Sequence, residues 1–399
     1  MLSQAHLEKY ADVLIWALKR ARKGRYKRAD VIMVRYGLHS VKLAEVIQGR
    51  VLELGMHPVM RMGLTSRMER NFYEKANPKQ LIFHPPGERQ LYQGLNGGIY
   101  VFSPESLTHL RDIDPRRIGK TILSYKPYRD ILNKREERGL FGWTLCLMPT
   151  PELTKGAGIS MKQYARQIVR ACYLDRKDPA GEWERIYRQA AEIKKWINSL
   201  DIKHLRIESK GCDLKLTMGP NRRWIGVSGH NIPSFEIFTC PDYRGTEGTY
   251  YADQPSYRSG NLVRDVRLTF KGGAVVKVSA RKGEDFIKKQ LSMDKGAKRV
   301  GEFSLTDKRF SRINRYMANT LYDENYGGKH GNCHLALGSS YSDTFDGDPA
   351  RLTKARKERL GLNDSALHWD LVNTEEKRVT AYLTSGKKTL LYEKGMFAF

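Results

Sequence analysis

The pattern of apolar residues changes character near residue 202, and that change constrains the fold more than any other feature. Before it, helical and extended patterns alternate. Leu7, Ala11, Leu14 and Leu18 recur at three- and four-residue steps, as one face of an amphipathic helix requires, and residues 30–35 follow as a short buried strand. Residues 41–54 read as a second helix, and residues 57–62, 97–102 and 142–148 read as strands. Residues 161–200 are helical in pattern, with Trp183, Ile186, Ala190, Ile193 and Ile197 on one face. Such alternation implies parallel strands joined by helical crossovers. After residue 203, strand-like runs separated by turn residues take over: 204–208, 212–218, 262–270 and 274–280. The last two read as a hairpin closed by Lys271, Gly272 and Gly273. The expected fold class is therefore α/β. An N-terminal α/β domain with a mainly parallel sheet spans residues 1–202, and a C-terminal α+β domain spans residues 203–399.

Composition narrows the class. Hydrophobic residues at 40% and charged residues at 29% support folded cores. No apolar run approaches the roughly 20 residues of a membrane-spanning helix. The patch at residues 13–18 is short, is preceded by Glu8 and Asp12, and lacks a cleavage signature, so no secretory leader is expected. The cysteines, Cys146, Cys172, Cys212, Cys240 and Cys333, are scattered with no Cys-x-x-Cys pair. That excludes a zinc ribbon or a disulfide framework and points to a reducing cytoplasm. The formal charge of +26 is spread along the chain, which reads as a basic surface. Nucleic-acid binding is expected only as a non-specific effect of that charge, because no basic run is interleaved with aromatics.

The sharpest local chemistry is His368 and Asp370, which at i and i+2 on a strand project to one face, with Trp369 turned into packing. Glu236 follows Phe235 in an apolar stretch, where a carboxylate needs a cation or hydrogen bonds. Taken alone, His334 reads equally as a core histidine, Glu324 as part of a solvated turn, Glu302 as a surface acid and Tyr341 as packing.

Taken together, residues 231–242, 299–302, 321–325, 334–341 and 363–370 resemble the metal-dependent aminopeptidases of the thermophilic type, aminopeptidase T and aminopeptidase S. The likeness extends to residues 257–260, 282–284, 143–144 and 149–151. It implies that Glu236, Glu302, Glu324, His334, His368 and Asp370 hold two divalent metal ions (zinc, cobalt or manganese), with Glu302 or Asp370 as the bridge. It also implies a homodimer acting on peptide substrates, with an ion-activated water attacking the first peptide bond. Tyr341 and Glu302 are the expected catalytic side chains, Tyr341 as a donor to the oxyanion. The link between Asn325 and His334 is longer than the family pattern and adds His330. Two other classes compete. A mononuclear iron ring-cleaving dioxygenase needs only His334, His368 and Asp370 and leaves Glu236 and Glu302 without a task. A nucleic-acid-binding homologue without catalysis is motivated by charge alone.

Overall fold

Short apolar runs bounded by turn residues form four parallel strands, β1 (Val31–Tyr36), β2 (His57–Met62), β3 (Leu95–Phe102) and β4 (Gly142–Leu147). The sheet order is β2-β1-β3-β4, with the Asn231–Ile232 strand added beside β4. Parallel neighbours cannot be joined by a tight hairpin, so each connection carries helix. Helix α1 (Gln4–Ala21) starts at Ser3, whose hydroxyl accepts the His6 amide at 3.3 Å, a capping box that satisfies an otherwise orphaned donor. Its apolar face buries Leu7, Leu14 and Leu18, each stabilising by about 1.5–3 kcal/mol. Tyr10 on the same helix donates to the Leu147 carbonyl of β4 at 3.2 Å. Helix α2 (Val41–Glu53) turns Leu43, Ala44, Ile47 and Val51 inward. The helical pattern over 161–200 resolves into two helices, Met161–Ala171 and Pro179–Asn198. Pro179 lacks the amide that a continuous helix would need and is tolerated only in a first turn.

The computed structural model describes residues 2–399, which group into two compact units. The first holds the parallel sheet and comprises the residues up to Trp183 with Ser228–Pro233; the second comprises Glu184–Val227 with Ser234–Phe399. The second unit is antiparallel. A nine-stranded sheet includes the expected hairpin, with Asn261–Lys271 paired to Ala274–Lys282. A five-stranded sheet runs in the order His368–Asn373, Asn332–Gly338, Val300–Thr306, Glu236–Thr239 and Ile225–Gly226. Every residue of Val300–Thr306 and Asn332–Gly338 is buried. Strands covered on both faces are ordinarily near-continuous apolar runs. These two instead carry Glu302, Ser304, Thr306, Asn332 and His334, which gives one buried face a polar character.

The hairpin shows how local chemistry sets register. Lys271 pairs with Ala274 across a two-residue loop in which Gly272 and Gly273 have φ of 58° and 77°, the left-handed pair that matches strand twist. A Cβ on Gly273 would meet the Tyr243 carbonyl oxygen at 2.5 Å, whereas one on Gly272 meets nothing within 4 Å. Gly273→Ala is therefore expected to destabilise by about 1–3 kcal/mol and Gly272→Ala by less, read as the fall in thermal midpoint. Equal midpoints for the two variants would contradict this account of the turn.

Candidate metal centre

Residues directly opposite in an antiparallel pair share a face. Glu236 stands opposite Thr306, Ser304 opposite His334, and Glu302 opposite Ala336. Ala336 in turn stands opposite Asp370, and Gly338 opposite His368. Because residues 302, 304 and 306 alternate onto the same side of their strand, Glu236, Glu302, His334, Asp370 and His368 all project from one face across four adjacent strands. Their cross-strand neighbours on that face include Ser304, Ala336 and Gly338, so small side chains leave room between large polar ones. At Gly301 the pairing skips a residue, and a Cβ there would meet the Ser339 and Gly338 carbonyl oxygens at 2.3 and 2.5 Å. Only glycine admits that approach.

The functional atoms converge. His334 Nε2 lies 3.1 Å from Glu302 Oε1, 3.6 Å from Glu236 Oε2 and 4.0 Å from Asp370 Oδ1. His368 Nε2 lies 3.6 Å from Glu302 Oε2 and 3.4 Å from Asp370 Oδ1. Two ligand groups result, Glu236 with Glu302 and His334, and Glu302 with His368 and Asp370, each with its atoms within 4.8 Å of one another. The carboxylate of Glu302 belongs to both. On the far side of the His368 ring, Nδ1 meets the Ser339 carbonyl at 2.9 Å, which sets Nδ1 as donor and turns Nε2 toward the carboxylates. Arg258 holds the same segment by donating to the His368 carbonyl at 2.8 Å, with its guanidinium over the Trp369 ring.

Crowding of like charge dominates the electrostatics. Burial, reinforced by Glu302 and Asp370, pushes the Glu236 carboxyl up to about 7. Burial and then the Glu236, Asp370 and Glu302 charges raise Glu324 well above the carboxylate range. Burial alone would pull both imidazoles down, but the hydrogen bond to Glu302 and the surrounding acids lift His334 to about 9. Asp370 chiefly lifts His368 to about 10. Against the cost of its own burial, Asp370 is held at about 2 by His368, His334 and Arg258. Removing a carboxylate from water costs several kcal/mol, and without cations the cluster holds protons on its imidazoles and on Glu324 to limit that cost. Oxygen and imidazole donors around a concentrated negative charge fit divalent cations of the zinc, cobalt or manganese kind.

Glu324 is buried at the end of the short Thr320–Asp323 helix, not in a solvated turn. Its neighbour Asn325 accepts the Phe235 amide at 2.5 Å, which ties this segment to the strand of Glu236. The extra link to His334 folds back on itself: the Gly327 and Gly328 amides reach the Ile313 carbonyl, and Asn332 Nδ2 reaches the Tyr326 carbonyl at 2.6 Å. His330 stands beside Glu376 at 4.0 Å and belongs to neither ligand group. The Tyr341 ring packs 4.8 Å from His368 and 5.8 Å from Phe238 while keeping 46% of its surface exposed, so it borders the cluster from the solvent side. The sequence reading passed over Asp323. Its buried carboxylate accepts the Met317 and Asn319 amides at 2.7 and 2.9 Å and lines a small cleft with Asp370. Its adjacency to Glu324 was the only signal. The roles of Ser339 and Arg258 depend on backbone carbonyl geometry, which no residue pattern encodes.

Ala336 separates Glu302 from Asp370, so Ala336→Leu is expected to cost about 1–3 kcal/mol in stability from overpacking. It should also weaken metal uptake by about tenfold or more by spreading the two carboxylates. Unchanged affinity in a metal titration would show that this small residue does not set the spacing.

The model of the thermophilic metalloprotease family M29 matches residues 3–397. Aminopeptidase 2 of Geobacillus stearothermophilus is 30% identical over 312 residues, 73% of each chain, and aminopeptidase T of Thermus aquaticus is 28% identical over 305 residues, 72% of each. The solved structure of wild-type AmpT from Thermus thermophilus shares the fold with a TM-score of 0.80 over 99% of both chains at 20% identity. The chain belongs to the thermophilic metalloprotease family M29.

Proposed function

We propose that the chain is a metal-dependent aminopeptidase that removes N-terminal residues from peptides with a water activated by two divalent ions. The observation that carries this reading is the position of Glu302, whose two oxygens face His334 at 3.1 Å and His368 at 3.6 Å, so that it belongs to both ligand groups. In this reading Glu236 and His334 would hold one ion and His368 and Asp370 the other, with Glu302 common to both groups. Glu324, outside both ligand groups but electrostatically linked to Glu236, Asp370 and Glu302, would add a sixth ligand once deprotonated. When bound, zinc, cobalt or manganese would acidify a water and polarise a peptide carbonyl. The chain's own contributions are positional. Ser339 and Arg258 orient the His368 segment, the small residues 304, 336 and 338 set the spacing, and Tyr341, protonated at neutral pH, donates a hydrogen bond toward the developing oxyanion. The retained Glu236 and Glu302 favour this reading over a mononuclear iron dioxygenase, since a single facial triad has no use for them.

The same reading includes a homodimer, the expectation that comes with the resemblance, and a reducing cytoplasmic setting. All five cysteines are buried free thiols, and among the described residues no helix is long and apolar enough to cross a membrane.

Metal analysis of the loaded protein is expected to give two ions per chain, with hydrolysis of aminoacyl chromogenic substrates. Glu302→Gln should lower kcat/KM by about a thousandfold and release at least one ion. One iron per chain with oxygen consumption would overturn the proposal in favour of the dioxygenase. Metal uptake should also expel protons. The imidazoles of the metal-free cluster, raised to about 9 and 10, carry protons at neutral pH and must lose them to bind. Apparent metal affinity should therefore rise as pH is raised from neutrality toward 9. Calorimetry in buffers of different ionisation enthalpy checks this, and affinity that is flat or falls with pH would count against imidazole ligation.

A further inference from the structure

The parallel-sheet unit contains a cavity of about 640 Å³, within the roughly 300–1,000 Å³ range of small-molecule sites. It lies at the carboxyl ends of β1 and β2 and is lined by Arg35, Arg61 and the residues that follow β2.

The charge here is not balanced. Arg35 and Arg61 stand directly opposite each other on β1 and β2. Buried Glu88 grips Arg61 with both oxygens, at 2.7 and 2.8 Å, and so neutralises one of the two. Glu69, which also lines the cavity, is engaged by His109 at 2.7 Å. Among the described residues no carboxylate reaches Arg35, nor Arg129, which faces the same cavity from the Lys126–Glu137 helix. Two guanidinium groups are thus left without counter-charge beside aromatic walls. Those walls are Phe83, 67% exposed, with Tyr92 and Tyr125.

We propose that this cavity binds an organic anion, with its carboxylate held by Arg35 and Arg129 and its aromatic or apolar body lying against Phe83, Tyr92 and Tyr125. Guanidinium forks match a carboxylate bidentately, and aromatic walls supply the apolar area that an inorganic anion would leave unused. The carboxylate comes either from a free aryl acid or from the carboxyl terminus of a peptide. Its lining shares no residue with the carboxylate cluster, and the proposal does not rest on the two-metal reading.

The test is calorimetric titration of the metal-loaded full-length chain with phenylpropionate and with N-acetyl-alanyl-alanyl-phenylalanine, each against its carboxamide. At least one acid should bind about tenfold or more tighter than its amide. Arg35→Gln and Arg129→Gln should each weaken that binding by about tenfold, and Phe83→Ala should weaken it as well. Hydrolysis of a small aminoacyl substrate should be unchanged in all three variants. Preference for phenylpropionate assigns the free acid as ligand, and preference for the blocked peptide assigns a peptide terminus. Acid and amide binding alike, binding that survives in the Arg35→Gln/Arg129→Gln double variant, or no binding of either acid would overturn the proposal.

Discussion

Three carboxylates gathered on one buried face of a small antiparallel sheet, with Glu324 buried close by, are the constraint on which the second unit depends. Each costs several kcal/mol to remove from water, and their mutual repulsion adds to that cost. Such an arrangement survives only where surrounding structure imposes it and cations offset it. Sheet register imposes it here: Glu302 is pinned between the strands of Glu236 and His334, and hydrogen bonds along Val300–Thr306 leave it no alternative position. His334, His368 and Arg258 offset part of the charge, and bound divalent metal would offset the remainder. Breaking the ordinary rule for doubly covered strands is the expense of building a site that concentrates charge.

The basic character of the chain contrasts with this acidic cluster. A net charge of +26 sits largely on exposed side chains, while the site draws its chemistry from buried acids. The two properties have different physical consequences. Surface charge governs solubility and encounter with anionic partners and is screened by salt, whereas the buried cluster is screened little and fixes which ions can enter. The Arg35 and Arg129 cavity shows that part of the positive charge is also locally organised, in a unit of its own.

The four strands and the first two helices of the parallel unit were legible because their apolar periodicities are distinct, and in the second unit the two glycines marked the hairpin at 271–274. The strands Val300–Thr306 and Asn332–Gly338 were not legible as strands, since their polar residues sit where a core pattern calls for apolar ones. The burial of Glu324 was hidden for a related reason, because an Asp-Glu-Asn run looks solvated until Asn325 is seen bonded to the Phe235 amide.

The sequence by itself determined the α/β class and the change to strand-rich construction after residue 203, which follow from periodicity and turn spacing, whereas the set of candidate ligands came from the likeness of its motifs to a known family. Only the tertiary structure decided that Glu236, Glu302, His334, His368 and Asp370 share a face, that Glu302 is common to both imidazoles, and that His330 stands elsewhere. Those facts depend on strand register and backbone carbonyl direction between residues up to 134 positions apart (370 − 236), and no local pattern of side chains records them.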